Sequence, residues 1–319
     1  MKIGIFGLSA SGKTTVFSLL TGVEFDPAAR PRAGATAPVH DARVAELAAI
    51  FNPRKVTRAS LTFTDMPGYD PGASQSEKTR VMQFIQNSDA ILAVVRAFEN
   101  PAVAWPAGAE TPARQLDAIR TELLLRDLAV VEARLERIAE GERKRHRLSD
   151  EEARERRLLA AVRGELENER FVSRQGLSAG EHKAIGTLGL FTAKPIIVAV
   201  NTDEEQSGPG SYPDRDRVRE QCAVNGFADI ELSGRIETEI SRLDAAEREL
   251  FLIEYGFKES GIERLSRVVY RHVGLISFLT VGEDEVRAWT VRRDTCARDA
   301  AGRDEIVKDG DIFHVRAGG

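Results

Sequence analysis

The chain has 319 residues, 42% of them hydrophobic and 30% charged, a balance ordinary for a folded protein and too apolar for a disordered one. Its 50 acidic residues against 45 Lys and Arg leave a formal net charge of −5, so no global positive field attracts nucleic acid and any RNA contact has to come from a local basic patch. Cys222 and Cys296 are too few for a disulfide framework, no apolar run approaches the ~18 residues of a membrane span, and the N-terminus opens on a strand-like run instead of a signal peptide, which together predict a cytoplasmic protein.

In chain order, the first element is the apolar run KIGIFGL, Lys2 to Leu8. The loop GLSASGKTT follows, and then a helical pattern over Thr14 to Leu20. Gly7, Gly12, Lys13 and Thr14 satisfy the Walker A spacing, in the strand–loop–helix setting that a phosphate cradle requires. Glycine at 7 and 12 lets several backbone N–H groups converge on one anion. The helix N-terminus adds its orphan donors and partial positive charge. Lys13 is suited to reach the β- and γ-phosphates, and the Thr14 hydroxyl to ligate Mg²⁺.

The next strand, LTFTDMPG, ends at Asp65, the place of a Walker B carboxylate that holds Mg²⁺, and Gly68 can offer its N–H to a γ-phosphate. Catalysis is therefore expected to be electrostatic, through Lys13, Asp65 with its metal, and Gly68. A Ras-like GTPase has a water-orienting Gln next, but this chain has Tyr69, which carries no amide.

A helix is expected over Glu77 to Ile85, and strands at AILAVVRAF (Ala90 to Phe98) and PIIVAVN (Pro195 to Asn201). Short apolar runs alternating with helices predict an α/β fold, a doubly wound sheet with strands buried on both faces. From Arg114 to Ala184 the pattern differs. Leu116, Ile119, Leu123, Leu128, Val131, Leu135 and Ile138 form one helical stripe, and Leu158, Val162 and Leu166 continue it after a polar turn where Ser149 and Glu152 suit a capping box. This predicts an inserted helical hairpin whose basic tip, Arg143 to Arg147, is solvated or touches phosphate backbone.

After PIIVAVN comes NTDE, Asn201 to Glu204, the place of a base-reading loop. A guanine reader of the Asn-Lys-x-Asp type has Asp fourth, whereas here Glu204 is one methylene longer and Thr202 replaces the Lys. The Asn201 amide can pair with the N7 edge of adenine, which favours ATP. Asp203, shifted by one place, leaves guanine open. From Leu275 three short strands, LISFLTV, EVRAWTV and DIFHVRA, predict a small β-rich module. His40, His146, His182, His272 and His314 do not cluster at ligand spacing, and Trp105 and Trp289 read as core or interface residues.

The order GLSASGKTT, TDMPGYDPGAS, DAILAVVRAFEN, KPIIVAVNTDE and EVRAWTV…VKDGDIFHVR resembles the YchF, or Obg-like ATPase, family of translation-factor-related P-loop GTPases, along essentially the whole chain. The resemblance implies a P-loop NTPase G domain (residues 1–113 and 185–274), interrupted by the hairpin at 114–184 and followed by a TGS-like C-terminal domain at 275–319. It implies ATP preferred over GTP, slow Mg²⁺-dependent hydrolysis as a molecular switch, and ribosome association through rRNA or ribosomal protein, with neither membrane nor DNA as partner. Ala10, Ser11, Gly12, Lys13, Thr14 and Thr15 would then face the phosphates. Thr14, Asp65 and Thr36 of switch I would hold Mg²⁺, and Asn201, Thr202 and Glu204, with Ser233 and Gly234 of LSGRIE, would surround the base. The chain departs from the family in its GLSASGKTT and Asp65-Met-Pro-Gly68 wording, in a shorter switch I, in Ala93 where many relatives have His, and in a TGS-like module lacking a central portion. A nucleotide-binding module without significant hydrolysis and a GTPase with an atypical base loop remain alternatives.

Overall fold

Apolar runs with no polar alternation become the central strands. β1 (Lys2–Phe6) is followed by α1 (Lys13–Thr21), β2 (Ala35–Pro38), α2 (Ala42–Phe51), β3 (Lys55–Thr57), β4 (Ser60–Asp65), α3 (Gln75–Gln86) and β5 (Ala90–Arg96). The long α4 (Pro112–Arg145) and α5 (Asp150–Glu167) come next, then α6 (Ala179–Ile185), β6 (Ile196–Asn201), α7 (Arg215–Asn225), β7 (Ala228–Leu232), α8 (Gly234–Ile240), α9 (Ala245–Glu254) and α10 (Gly261–His272). Strands β8 (Leu275–Val281), β9 (Glu285–Arg292) and β10 (Ile312–His314) end the series. This is a computed structural model, and it describes residues 1–24, 34–145, 147–207, 211–293, 295 and 306–314. Cys296, His146 and most of the switch I stretch lie outside the described residues, as do the side chains of Arg145 and His314.

A six-stranded sheet has the order β2-β4-β1-β5-β6-β7, all parallel except the antiparallel edge pair β2–β4. β5 and β6 are buried at every position, as strands covered by helices on both faces must be. The expected doubly wound fold is present. Parallel strands align their C-terminal ends, so the P-loop after β1, Asp65 ending β4, Phe98 after β5 and Asn201 ending β6 collect at one edge.

In the hairpin, Leu116, Ile119, Leu123, Val131 and Ile138 of α4 are buried, with Leu128 and Leu135 partly so. Ser149 and Glu152 form the capping box that starts α5. Arg134 pairs with Glu155 and Arg156 with Glu142 across the two helices. The middle of α4 is fixed to the segment before β6: the buried Asp127 accepts from Phe191 N (2.9 Å), Thr192 N (2.7 Å) and Thr192 Oγ1 (2.6 Å). Burial pushes its carboxyl up to about 6 against these donors. Arg143, Lys144 and Arg147 at the tip are exposed.

The C-terminal strands form a second sheet, order β10-β8-β9-β3, and its last strand comes from the N-terminal half of the chain. β3 runs parallel to β9, with Val56 opposite Val286. The sequence pattern gives no warning of this, because a three-residue Lys-Val-Thr strand has no readable period. Among the described residues no helix is long and apolar enough to cross a membrane.

Candidate functional site: a phosphate cradle joined to a base loop

The cradle is built by close approach. A Cβ on Gly7 would lie 2.3 Å from the Val94 carbonyl oxygen, so only glycine lets the end of β1 pass β5 there. Gly12 has φ +90°, and a Cβ on it would lie 2.1 Å from Asn201 Nδ2. Gly12 is also the N-cap of α1, and no side chain caps that helix, which leaves its first-turn N–H groups to face an anion. Ala10, at φ +60°, stands exposed at the mouth, Ser11 is buried, and Thr14 and Thr15 are half-buried in the first turn of α1.

Lys13 Nζ donates to the Leu8 carbonyl at 2.9 Å, spanning the loop. Burial lowers its pKa to about 8, and the charge of Asp65 opposes that shift. A buried ammonium beside one carboxylate is stabilised further when a phosphate arrives. Asp65 closes β4 opposite Ile5 of β1 and so reaches the cradle. A carboxylate and a threonine hydroxyl form a hard oxygen donor set that suits Mg²⁺.

Thr36 is not brought to this point. It is exposed, within β2, and opposite Thr62, three residues before Asp65 on β4, or roughly 10 Å along the strand. The antiparallel register makes it an edge-strand residue.

Tyr69 turns inward. Its N–H donates to the Gly7 carbonyl (3.0 Å), and its carbonyl accepts from Ser9 N (3.1 Å), zipping the segment onto the first half of the P-loop. The buried phenol hydroxyl donates to Glu122 Oε2 of α4 at 2.5 Å. Burial and that carboxylate hold its pKa well above the usual phenol value. Ala93, buried between β1 and β6 neighbours, supplies no polar group.

The loop that begins at Asn201 is a structural tie. Asn201 Nδ2 donates to the Ser11 carbonyl (3.2 Å), and Asn201 Oδ1 accepts from Gly234 N (2.9 Å). One amide thus bolts the P-loop to the loop before α8, so both of its ends are already engaged where the sequence reading gave them to adenine. Thr202 is buried, its hydroxyl donating to the Leu232 carbonyl at 3.2 Å. Glu204 points to the rim, where it pairs with Arg235 at 2.7 Å. Ser233 caps α8 through Ile236 N.

Two residues that sequence reasoning left without a role complete the site. The Phe98 ring edge comes within 3.8 Å of the Cβ position of Gly12, where Asn201 also approaches. Arg96, 1% exposed, shapes the loop that holds it, donating to the carbonyls of Phe98 (3.0 Å), Val103 (3.1 Å) and Asn100 (3.4 Å). Its guanidinium lies 4.2 Å from the Trp105 ring centroid and 4.9 Å from that of Phe98. The signal was present in VVRAFEN, where a lone Arg ends an otherwise apolar strand. Arg96→Ala strips the donors from three loop carbonyls and is expected to cost about 3 kcal/mol of stability. Chemical denaturation followed by tryptophan fluorescence checks this, with weakened nucleotide affinity as the second readout.

The 50S ribosome-binding GTPase family matches residues 2–134, and the YchF GTPase C-terminal family, described as a protein of unknown function, matches 275–304. The chain is 32% identical over 364 aligned residues to the ribosome-binding ATPase YchF of Haemophilus influenzae, covering 99% of this chain and 98% of the relative. It is 33% identical to the ribosome-binding ATPase YchF of Escherichia coli O157:H7, covering 95% and 84% respectively. The solved structure of the Schizosaccharomyces pombe YchF GTPase matches with a TM-score of 0.81 at 28% identity, over 95% of this chain and 83% of that one. Matched along nearly its full length by these relatives, the chain belongs to the YchF family of P-loop GTPases.

Proposed function

We propose that this protein is a cytoplasmic, Mg²⁺-dependent ATPase that hydrolyses slowly and acts as a nucleotide switch on the ribosome. The observation that carries the reading is the uncapped N-terminus of α1 behind Gly12, with Lys13 across the loop and Asp65 beside it. Relatives named ribosome-binding ATPases support ATP as the substrate and the ribosome as the partner. Thr14 and Asp65 would hold the metal, which when bound neutralises charge developing on the phosphates. Lys13 and the N–H groups of Ala10 to Thr15 would orient the triphosphate, and Gly68 would meet its γ-phosphate. Phe98 and the Asn201–Gly234 tie would flank the base.

Adenine is favoured by two features. Glu204 is drawn to Arg235, and Thr202 is spent on the Leu232 carbonyl, so neither stands as an aspartate would to accept from guanine N1–H and its amine. We also assign the chain as a G domain at 1–113 and 185–274, a hairpin at 114–184 and a TGS-like domain at 275–319. The exposed tip residues Arg143, Lys144 and Arg147 would be the contact with ribosomal RNA. A second reading, a nucleotide-binding module without turnover, is favoured by the inward Tyr69 and by Ala93.

The experiment is Mg²⁺-dependent binding of labelled ATP, competed separately by ATP and GTP, with phosphate release followed in the same samples. ATP competing at least about tenfold better, a gap of ~1.4 kcal/mol, with slow release, is the expected result. GTP winning overturns the base assignment, and tight binding without release supports the second reading.

A further inference from the structure

We propose that the hydroxyl of Ser9 orients the attacking water at the γ-phosphate, a position left open by the inward turn of Tyr69. This rests on the reading above, that a nucleoside triphosphate occupies the cradle.

The same pair of backbone hydrogen bonds fixes both residues. Tyr69 N donates to Gly7 O at 3.0 Å and Ser9 N donates to Tyr69 O at 3.1 Å, and Leu8 and Tyr69 form a parallel bridge. Tyr69 is thereby drawn toward Phe6, ring centroids 5.6 Å apart, and its hydroxyl toward Glu122. Glu122 is in turn held by Arg126 at 2.7 Å, and Arg126 by Thr79 Oγ1 at 3.1 Å. No part of that chain of contacts points to the mouth of the cradle.

Ser9 does the reverse. It is exposed, and its Oγ lies 2.6 Å from where a Cβ of Gly68 would stand, with its Cα at 2.9 Å. Gly68 is the residue whose N–H, on that reading, would meet the γ-phosphate. With a triphosphate held in the cradle and its γ-phosphate at Gly68, the Ser9 hydroxyl would lie beside that phosphate, within reach of an attacking water.

Other polar groups near the mouth are spent or turned away. Ser11 Oγ is buried and packs 2.9 Å from the Cβ position of Gly7. Asp70 Oδ1 accepts from Gly72 N at 2.8 Å, closing its own turn. Ser74 caps α3, and Ala10 has no polar side chain.

A serine hydroxyl can accept from the water while donating to a γ-phosphate oxygen. The water oxygen bonds to Pγ as the bond from Pγ to the bridging oxygen breaks. The electron pair leaves with ADP, and the water proton passes to a phosphate oxygen. Ser9 ends the step with the proton it began with, so it is a positioning group and not a base.

Single-turnover hydrolysis of γ-labelled ATP with Mg²⁺, paired with the Kd of a fluorescent ATP analogue, tests this on the full chain. Ser9→Ala is expected to slow hydrolysis about tenfold while Kd stays within about twofold, and Ser9→Thr to restore most of the rate. Asp70→Asn, which keeps the acceptor for Gly72, is expected to leave the rate unchanged. The proposal is overturned if Ser9→Ala hydrolyses at the wild-type rate, if rate and affinity fall together, if Ser9→Thr fails to rescue, or if the wild type binds ATP without turnover. Failure of the wild type to bind ATP at all would instead overturn the underlying assignment of the cradle.

Discussion

Lys13→Ala is expected to lower ATP affinity by about 100-fold or more while leaving the protein folded. The ammonium would make two or more charge-assisted hydrogen bonds to phosphate oxygens, worth roughly 1.5–3 kcal/mol each, so their loss amounts to two to four decades in Kd. The folded state gives up much less. Lys13 Nζ donates to one carbonyl, that of Leu8, and burial opposes its charge, as the pKa of about 8 records. Removing it leaves one acceptor short of a partner and also relieves a buried cation, and these effects act in opposite directions. Isothermal titration calorimetry with Mg·ATP, beside a thermal melt, separates the two quantities. Near-normal affinity in a folded variant would remove the cradle as the nucleotide site.

Gly12→Ala is expected to be strongly destabilising. Gly12 has φ +90°, a backbone region that costs an L side chain on the order of 1–2 kcal/mol, and the new Cβ would fall 2.1 Å from Asn201 Nδ2. That distance cannot be accommodated, so the Asn201 side chain must move. Its movement breaks the bonds to the Ser11 carbonyl and from Gly234 N together. The sum is about 4 kcal/mol, or roughly 6 °C in Tm for a chain of this size. Gly22→Ala provides the comparison: φ is +70°, and nothing lies within 4 Å of its Cβ position, so only the backbone cost of ~1 kcal/mol applies. A double-mutant cycle of Gly12→Ala with Asn201→Ala measures the overlap, because the second change removes the group that the first strikes. Equal losses in the Gly12 and Gly22 variants would contradict the close approach.

The site and the fold differ in how far they could be read ahead. The phosphate cradle was legible because its chemistry is local: glycines at fixed spacing, a lysine and a threonine, a strand before and a helix after. Asp65 was legible for the same reason, as a carboxylate ending an apolar strand. Thr36 is kept from Asp65 by register, which spacing does not reveal: β2 pairs with Ser60 to Phe63 and sets Thr36 opposite Thr62. The Asn201 amide, which the sequence reading gave to the base, is instead held by the protein's own backbone. Whether an amide faces a ligand or its own backbone depends on Ser11, 190 residues away, and Gly234, 33 residues away.

By itself the sequence determined the alternation of strand and helix, the long apolar stripe of the hairpin, the capping box at Ser149 and the phosphate loop, all of which rest on periods and spacings within a few residues. Only the tertiary structure decided that β3 would complete the C-terminal sheet, that Tyr69 would turn toward Glu122, that Arg96 would hold the Phe98 loop from inside, and that Ser9 would be left at the mouth. Each of these depends on two distant segments meeting, and the free energy that fixes them, burial of an aromatic ring or the pairing of a buried polar group, exists only once the chain has closed around both partners.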